Sequence, residues 1–213
     1  MMWFAKHAPV IDVPLADLGA IVLDLETTGL KSQHDHILAI AAYQIRGRQV
    51  DVAAGFEAAL YVSTHKPSEA TLVHGITATD VSFGEEPRQA LMRFKSFIKE
   101  QPIFAFHAPF DQAFLQRAYK QALRQKLTNV FVDVAELAAM LSPDLNKRPS
   151  LDDCISHFGL SIASRHQAYA DAWVTAELVL ILLVKAQQQG INTLLQLLAR
   201  LQQWRALQAM HGN

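Results

Sequence analysis

Four carboxylates and one imidazole stand at spacings that matter chemically: Asp24, Glu26, Asp111, Asp171 and His166. Asp24 and Glu26 close the apolar run Gly19-Ala-Ile-Val-Leu-Asp24. Two residues apart on a strand, they point to one face while Leu25 points into the opposite layer. Adjacent carboxylates repel each other unless protons or a cation intervene. An arbitrary Asp-x-Glu at a strand end is more often a pair of solvated acids. Here it is followed by Thr27-Thr-Gly-Leu30, which offers two hydroxyls, backbone donors and a glycine able to take a positive φ. Such a loop lets a ligand approach the acids closely.

The other three residues have ordinary roles when taken singly. Asp111 opens a helix, where an aspartate caps or complements the dipole. Asp171 falls in the first turn of a long helix, and His166, five residues earlier, reads as a loop histidine. Only their combination with Asp24 and Glu26 favours chemistry.

The elements that must position them follow from periodicity and punctuation. Strands are expected at Gly19–Asp24, His36–Arg46, Gln49–Val62, Ile103–Phe106 and Val130–Val132. The Arg46-Gly-Arg48 turn joins two of them into a meander. Helices are expected over Pro87–Lys99, with Ala90, Leu91, Phe94, Phe97 and Ile98 at helical spacing, then over Phe110–Leu123 and Asp133–Leu141. Ser150 and Asp153 read as a capping box, and Gly159 ends the helix they open. Ala168–Gln188 is a long helix closed by Gly190, and Leu194, Leu197, Leu201 and Trp204 stripe a last helix over Ile191–Met210. Ser142–Pro149 reads as an exposed loop, and the tail from Gln208 as frayed. A meander followed by alternating strands and helices argues an α/β fold: a mixed sheet with helices on both faces.

At 213 residues the chain needs neither disulfide nor structural metal to fold. Its one cysteine, Cys154, excludes an intramolecular disulfide, makes a thiolate zinc site improbable and suits a cytoplasmic setting. The run Trp173–Val184 is interrupted by Glu177 and too short to span a bilayer, so no membrane is expected. A net charge of −1 is wrong for gripping long duplex DNA through basic residues. Arg117, Lys120 and Arg124 share a helical face and read about two to one as a solvated face rather than a phosphate track.

Together the motifs resemble a family. Asp24-Leu-Glu-Thr-Thr-Gly-Leu30 is similar to the first motif of the exonucleases named for four acids and a histidine (DEDDh), a group that includes the epsilon proofreading subunit of bacterial DNA polymerase III. Phe106-His-Ala-Pro-Phe-Asp111 resembles the second motif and His166-Gln-Ala-Tyr-Ala-Asp171 the third. Val73-His-Gly-Ile-Thr77, Ser150-Leu-Asp and Phe158-Gly-Leu resemble intervening segments, so the likeness runs from about Gly19 to about Val184. One position departs: the family usually carries His-Asn before the alanine of the second motif, where this chain has Phe106-His107.

The resemblance implies a ribonuclease H-like mixed five-stranded sheet, an exonuclease domain over 19–188, a segment 1–18 before it and a helical extension over 189–213. It implies two Mg2+ or Mn2+ ions on Asp24, Glu26, Asp111 and Asp171, with Asp24 bridging, Asp111 more distant, and His166 as general base. It further implies that the Thr27 backbone binds a 3′-hydroxyl, Leu30 wedges a terminal base, and His74 and Phe110 line the nucleotide pocket. The expected activity is 3′→5′ hydrolysis of single-stranded DNA ends. The alternatives are an RNA-trimming enzyme of the same family and, far behind, a non-catalytic binding module. The last helix is expected to pack on its own domain; docking on a DNA polymerase or on a second copy is the competing role.

Overall fold

A computed structural model describes residues 12–63, 81–162 and 167–211. Its centre is one five-stranded sheet of order β3-β2-β1-β4-β5, formed by β1 (Gly19–Thr27), β2 (Ile37–Arg46), β3 (Gln49–Ala59), β4 (Ile103–Ala105) and β5 (Phe131–Asp133). β1, β2 and β3 form the antiparallel meander, while β4 and β5 add parallel to β1. The hairpin between β2 and β3 turns on Gly47, whose φ is 60° and whose missing Cβ would meet the Ala16 carbonyl at 2.8 Å. A glycine at the first of the two loop residues meets the positive φ that a tight hairpin requires.

β1 is apolar on both sides because both sides are covered. Ala20 and Val22 join one core; Ile21, Leu23 and Leu25 join the other. The first core is closed by α3 (Val134–Leu141), α4 (Leu151–Phe158), α5 (Ala168–Gln188) and α6 (Leu194–His211). The second is closed by α1 (Pro87–Ile98) and α2 (Ala108–Ala118). This is the α/β, ribonuclease H-like arrangement expected, with helices on both faces.

Local chemistry explains the helix ends. Pro87 follows an N-cap at Glu86, whose carboxylate accepts from the Arg88 N–H at 2.6 Å. The capping box forms as read: the Asp153 N–H donates to Ser150 Oγ at 3.1 Å, and the Ser150 N–H to Asp153 Oδ2 at 2.8 Å. Gly159 then ends α4 at φ 65°.

Several boundaries differ for tertiary reasons. β3 stops at Ala59, since Leu60 bridges instead to Glu85. β5 lies one residue later than expected because Asp133 pairs with Ala105. α2 starts two residues earlier, at Ala108, and passes at Tyr119 into a π-turn, Tyr119–Leu123. α6 begins only at Leu194, because the preceding segment is tied to the chain's beginning: Leu15 N–H donates to the Asn192 carbonyl at 2.8 Å. It then runs through His211, so Gln208–His211 is helical rather than frayed. Leu194, Leu197 and Leu201 are buried with Leu15 and Leu18 in the first core, so the inner face of α6 packs on its own domain. Ser142 and Pro149 are buried, and the expected loop is exposed mainly at Pro143, Asp144 and Asn146–Arg148. Among the described residues no helix is long and apolar enough to cross a membrane.

Candidate active site

The carboxyl ends of β1, β4 and β5 share one edge of the sheet, where parallel α/β sheets generally present their chemistry. Leu23, Ala105 and Asp133 lie level across the three strands. Asp24 and Glu26 therefore emerge at this edge, and alternation sends both toward the face covered by α5, as the pattern predicted. The register with β2 shifts between Glu26 and Thr27, where the pairing steps from Ala39 to Ile37 past Leu38. A bulge of this kind bends the strand and re-aims side chains.

α5 brings the third acid. Asp171 stands in its first turn, 6% exposed, between buried Ala170 and Ala172. Oxygens of Asp24, Glu26 and Asp171 all lie within 4.8 Å of one another. Three carboxylates from two elements, 147 residues apart at their extremes, thus converge on one point.

Asp111 sits in the first turn of α2 and is 4% exposed. It lies outside that close group. Burial holds its carboxyl well above the usual carboxylate range; Asp133 and Glu26 push the same way, while backbone hydrogen bonds from its own amide and from Leu25 pull against them. The interaction with the Leu25 backbone links α2 to β1. Asp133, also 4% exposed, is raised by burial and by Glu136, against the Glu136 backbone N–H, which donates to it at 3.0 Å, and the charges of His107 and Arg205. Periodicity marks Asp133 only as the start of a helix. The signal was present in Phe131-Val-Asp133, a short apolar run ending in an acid, as in β1.

The departure at His107 also acquires a physical setting. His107 is the residue before α2 and adopts the left-handed conformation, φ 60° and ψ 48°. Asn, Asp and His are the side chains enriched there, so histidine meets the backbone requirement that asparagine would. Its ring packs edge-on against Phe106, with centroids 4.9 Å apart.

The loop after β1 is held by its own side chains. Thr27 Oγ1 donates to the Gly29 carbonyl at 2.8 Å, and the His36 N–H donates to Thr28 Oγ1 at 2.9 Å. Asp35 accepts from the Lys31 N–H at 2.8 Å. Gly29 is required by closeness rather than by a positive φ: a Cβ there would meet the Asp35 carboxylate at 2.6 Å. Leu30, four residues after Glu26, is 85% exposed, Thr27 is buried, and Phe110 is half-buried with its ring 4.8 Å from Phe114. Arg117 donates to the carbonyls of Ser32 and Asp35 at 2.6 and 2.8 Å, so it clamps this loop. The π-turn after it breaks the stripe expected with Lys120 and Arg124. His74 and His166 lie outside the described residues.

The RNase_T family model, described as an exonuclease, matches residues 21–179. The chain belongs to this exonuclease family. Bacillus subtilis DNA polymerase III PolC-type is 31% identical over 175 residues, covering 81% of this chain and 12% of the relative. The Streptococcus mutans PolC-type polymerase is 29% identical over 188 residues, covering 88% and 13%. The chain therefore spans only about an eighth of the curated relatives it matches. E. coli exonuclease I in complex with a dA16 oligonucleotide superposes with a TM-score of 0.65 at 19% identity, covering 82% of this chain and 42% of that one. Exonuclease X in complex with 5′ overhanging duplex DNA gives 0.65 at 17% identity, covering 79% and 93%. At these identities the two structures establish the exonuclease fold.

The acids suit the divalent cations on which exonucleases of this family typically depend. Carboxylate oxygens are the donors that Mg2+ and Mn2+ prefer. Three of them so close together also repel one another unless positive charge intervenes.

Proposed function

We propose that the chain is a 3′→5′ exonuclease that removes nucleoside 5′-monophosphates one at a time from single-stranded DNA ends. The convergence of Asp24, Glu26 and Asp171 within 4.8 Å at the carboxyl edge of the parallel strands carries this reading. The DNA-related relatives, PolC-type polymerases and an exonuclease with bound dA16, support DNA as substrate. A DNA polymerase is the partner this reading favours, and a cytoplasmic setting belongs to it, as does a catalytic unit over 19–188 flanked by 1–18 and 189–213.

Asp24, Glu26 and Asp171 would hold two divalent ions with help from Asp111. When bound, the ions would neutralise the scissile phosphate and stabilise the leaving oxygen. His166, five residues before Asp171 in the chain, accepts the proton of the attacking water. The Thr27 backbone takes the terminal 3′-hydroxyl, and Leu30, His74 and Phe110 contact the last nucleotide. Apolar and aromatic contact of this kind tolerates any base.

The test is digestion of matched 3′- and 5′-labelled single strands, as DNA and as RNA, with manganese. Mononucleotide release from DNA 3′ ends is the expected result. Release from 5′ ends, or preference for RNA, would sink the polarity or the substrate. Persistent activity in His166→Ala would remove the assigned base.

A further inference from the structure

A cleft of about 450 Å³ opens between the Ser142–Pro149 loop and α6, lined by Glu136, Lys147, Arg148, Trp204, Arg205 and Gln208. Three of these side chains are cationic and one is acidic, in a chain whose net charge is −1. The acid is already engaged: Arg205 donates through Nε to Glu136 Oε2 at 2.6 Å, with Nη2 at 2.5 Å. Lys147 and Arg148 are exposed, and neither bonds to another described residue. A second cation-lined hollow differs, because Arg88 donates to the Ala122 carbonyl at 3.1 Å and Lys95 to Gln125 Oε1 at 2.5 Å. Trp204 is half-buried, packed by one side on the first core, and adds an aromatic surface to the cleft.

Glu136, one wall of the cleft, connects it to the functional edge of the sheet. Glu136 stands in the first turn of α3 and donates its N–H to Asp133 at the end of β5. Asp133 is level with Leu23, the residue before Asp24, two strands away. Two inter-strand spacings are roughly 10 Å. A cationic groove with an aromatic wall is the composition that binds single-stranded nucleic acid without reading its sequence.

We propose that this cleft is a second nucleic-acid site, gripping the sugar-phosphate backbone of the single strand upstream of the nucleotide being cut. It rests on the nuclease reading, yet it is tested without turnover. Affinity for labelled dT16 is measured by fluorescence anisotropy in chelator, over a range of salt, for the unaltered chain and for Lys147→Gln/Arg148→Gln. Both positions are exposed, so the variant keeps its fold, which a melting curve verifies. Affinity should fall about tenfold, and the slope of log affinity against log salt should shrink by roughly 1.4, about 0.7 for each lost phosphate contact. Arg46→Gln/Arg48→Gln, the same charge change at the β2–β3 hairpin, should alter affinity less than about twofold. Equal loss in both variants overturns the site in favour of diffuse charge; unchanged dT16 affinity in the first overturns it outright and leaves the cleft to an acidic protein segment. Manganese-dependent turnover, measured separately, decides the nuclease reading alone.

Discussion

The acids at the sheet edge form two groups that differ in kind. Asp24 and Glu26 are half-buried and, with Asp171, bring oxygens within 4.8 Å of one another. Asp111 and Asp133 are each 4% exposed, and burial is the main cause of their raised proton affinity. The first group crowds negative charge at one point, a repulsion that a cation would relieve. In the second, burial favours the protonated acid. The two groups touch electrostatically through Glu26, whose charge helps to raise Asp111, so a cation that neutralised Glu26 would make Asp111 easier to ionise.

The largest test of this contrast is Asp24→Ala, which should lower kcat/KM at least about 10³-fold, about 4 kcal/mol of transition-state stabilisation. The fold should remain, as circular dichroism and a melting curve would verify. Retained activity would mean that the trio of Asp24, Glu26 and Asp171 is not the reaction centre. Divalent cation comes next. Manganese at 100 times its Kd should stabilise the chain by about 2.7 kcal/mol, or roughly 5–10 °C in Tm for a chain of this size. Asp24→Ala/Glu26→Ala should lose most of that shift, and an equal shift in the double variant would place the cation elsewhere.

Asp133→Asn tests the buried pair. Removing one negative charge beside Asp111 makes Asp111 easier to ionise, so the acid limb of the pH–rate profile should move to lower pH, with kcat changed less than about tenfold. An unmoved limb would show that the two acids titrate independently. The smallest effect is expected from Asp111→Asn on metal-free stability. Because the Asp111 carboxyl holds its proton above the ordinary range, its stabilising contribution is complete below the unfolded value and lost as pH rises through the raised one. The variant should therefore match the unaltered chain in acid and exceed it near pH 7 by about 1 kcal/mol, read as 2–4 °C in Tm. A lower Tm at both pH values would mean that the bonds to Leu25 and to its own amide outweigh the burial cost.

The same division runs through what was readable beforehand. Strand alternation puts Asp24, Leu25 and Glu26 on their faces from sequence alone, since a period of two is a property of the backbone. Ser150, Asp153 and Gly159 were equally plain, because capping is satisfied within a few residues of chain. The reason for Gly29 is hidden in sequence: a glycine that admits a positive φ and one that makes room for Asp35 look identical there. The role of Arg117 is hidden too, because its acceptors, the carbonyls of Ser32 and Asp35, lie more than 80 residues away.

Local spacing, then, determined the elements of this chain, the motif residues that mark it as an exonuclease, and the face on which its first two acids stand. Only the tertiary structure decided that Asp171 would reach them, that Asp133 would be buried beside Asp111, and that Lys147 and Arg148 would share a cleft with Trp204. Those facts depend on which distant segments share the same edge of one sheet. Strand order and helix packing decide that, and no short-range pattern encodes it.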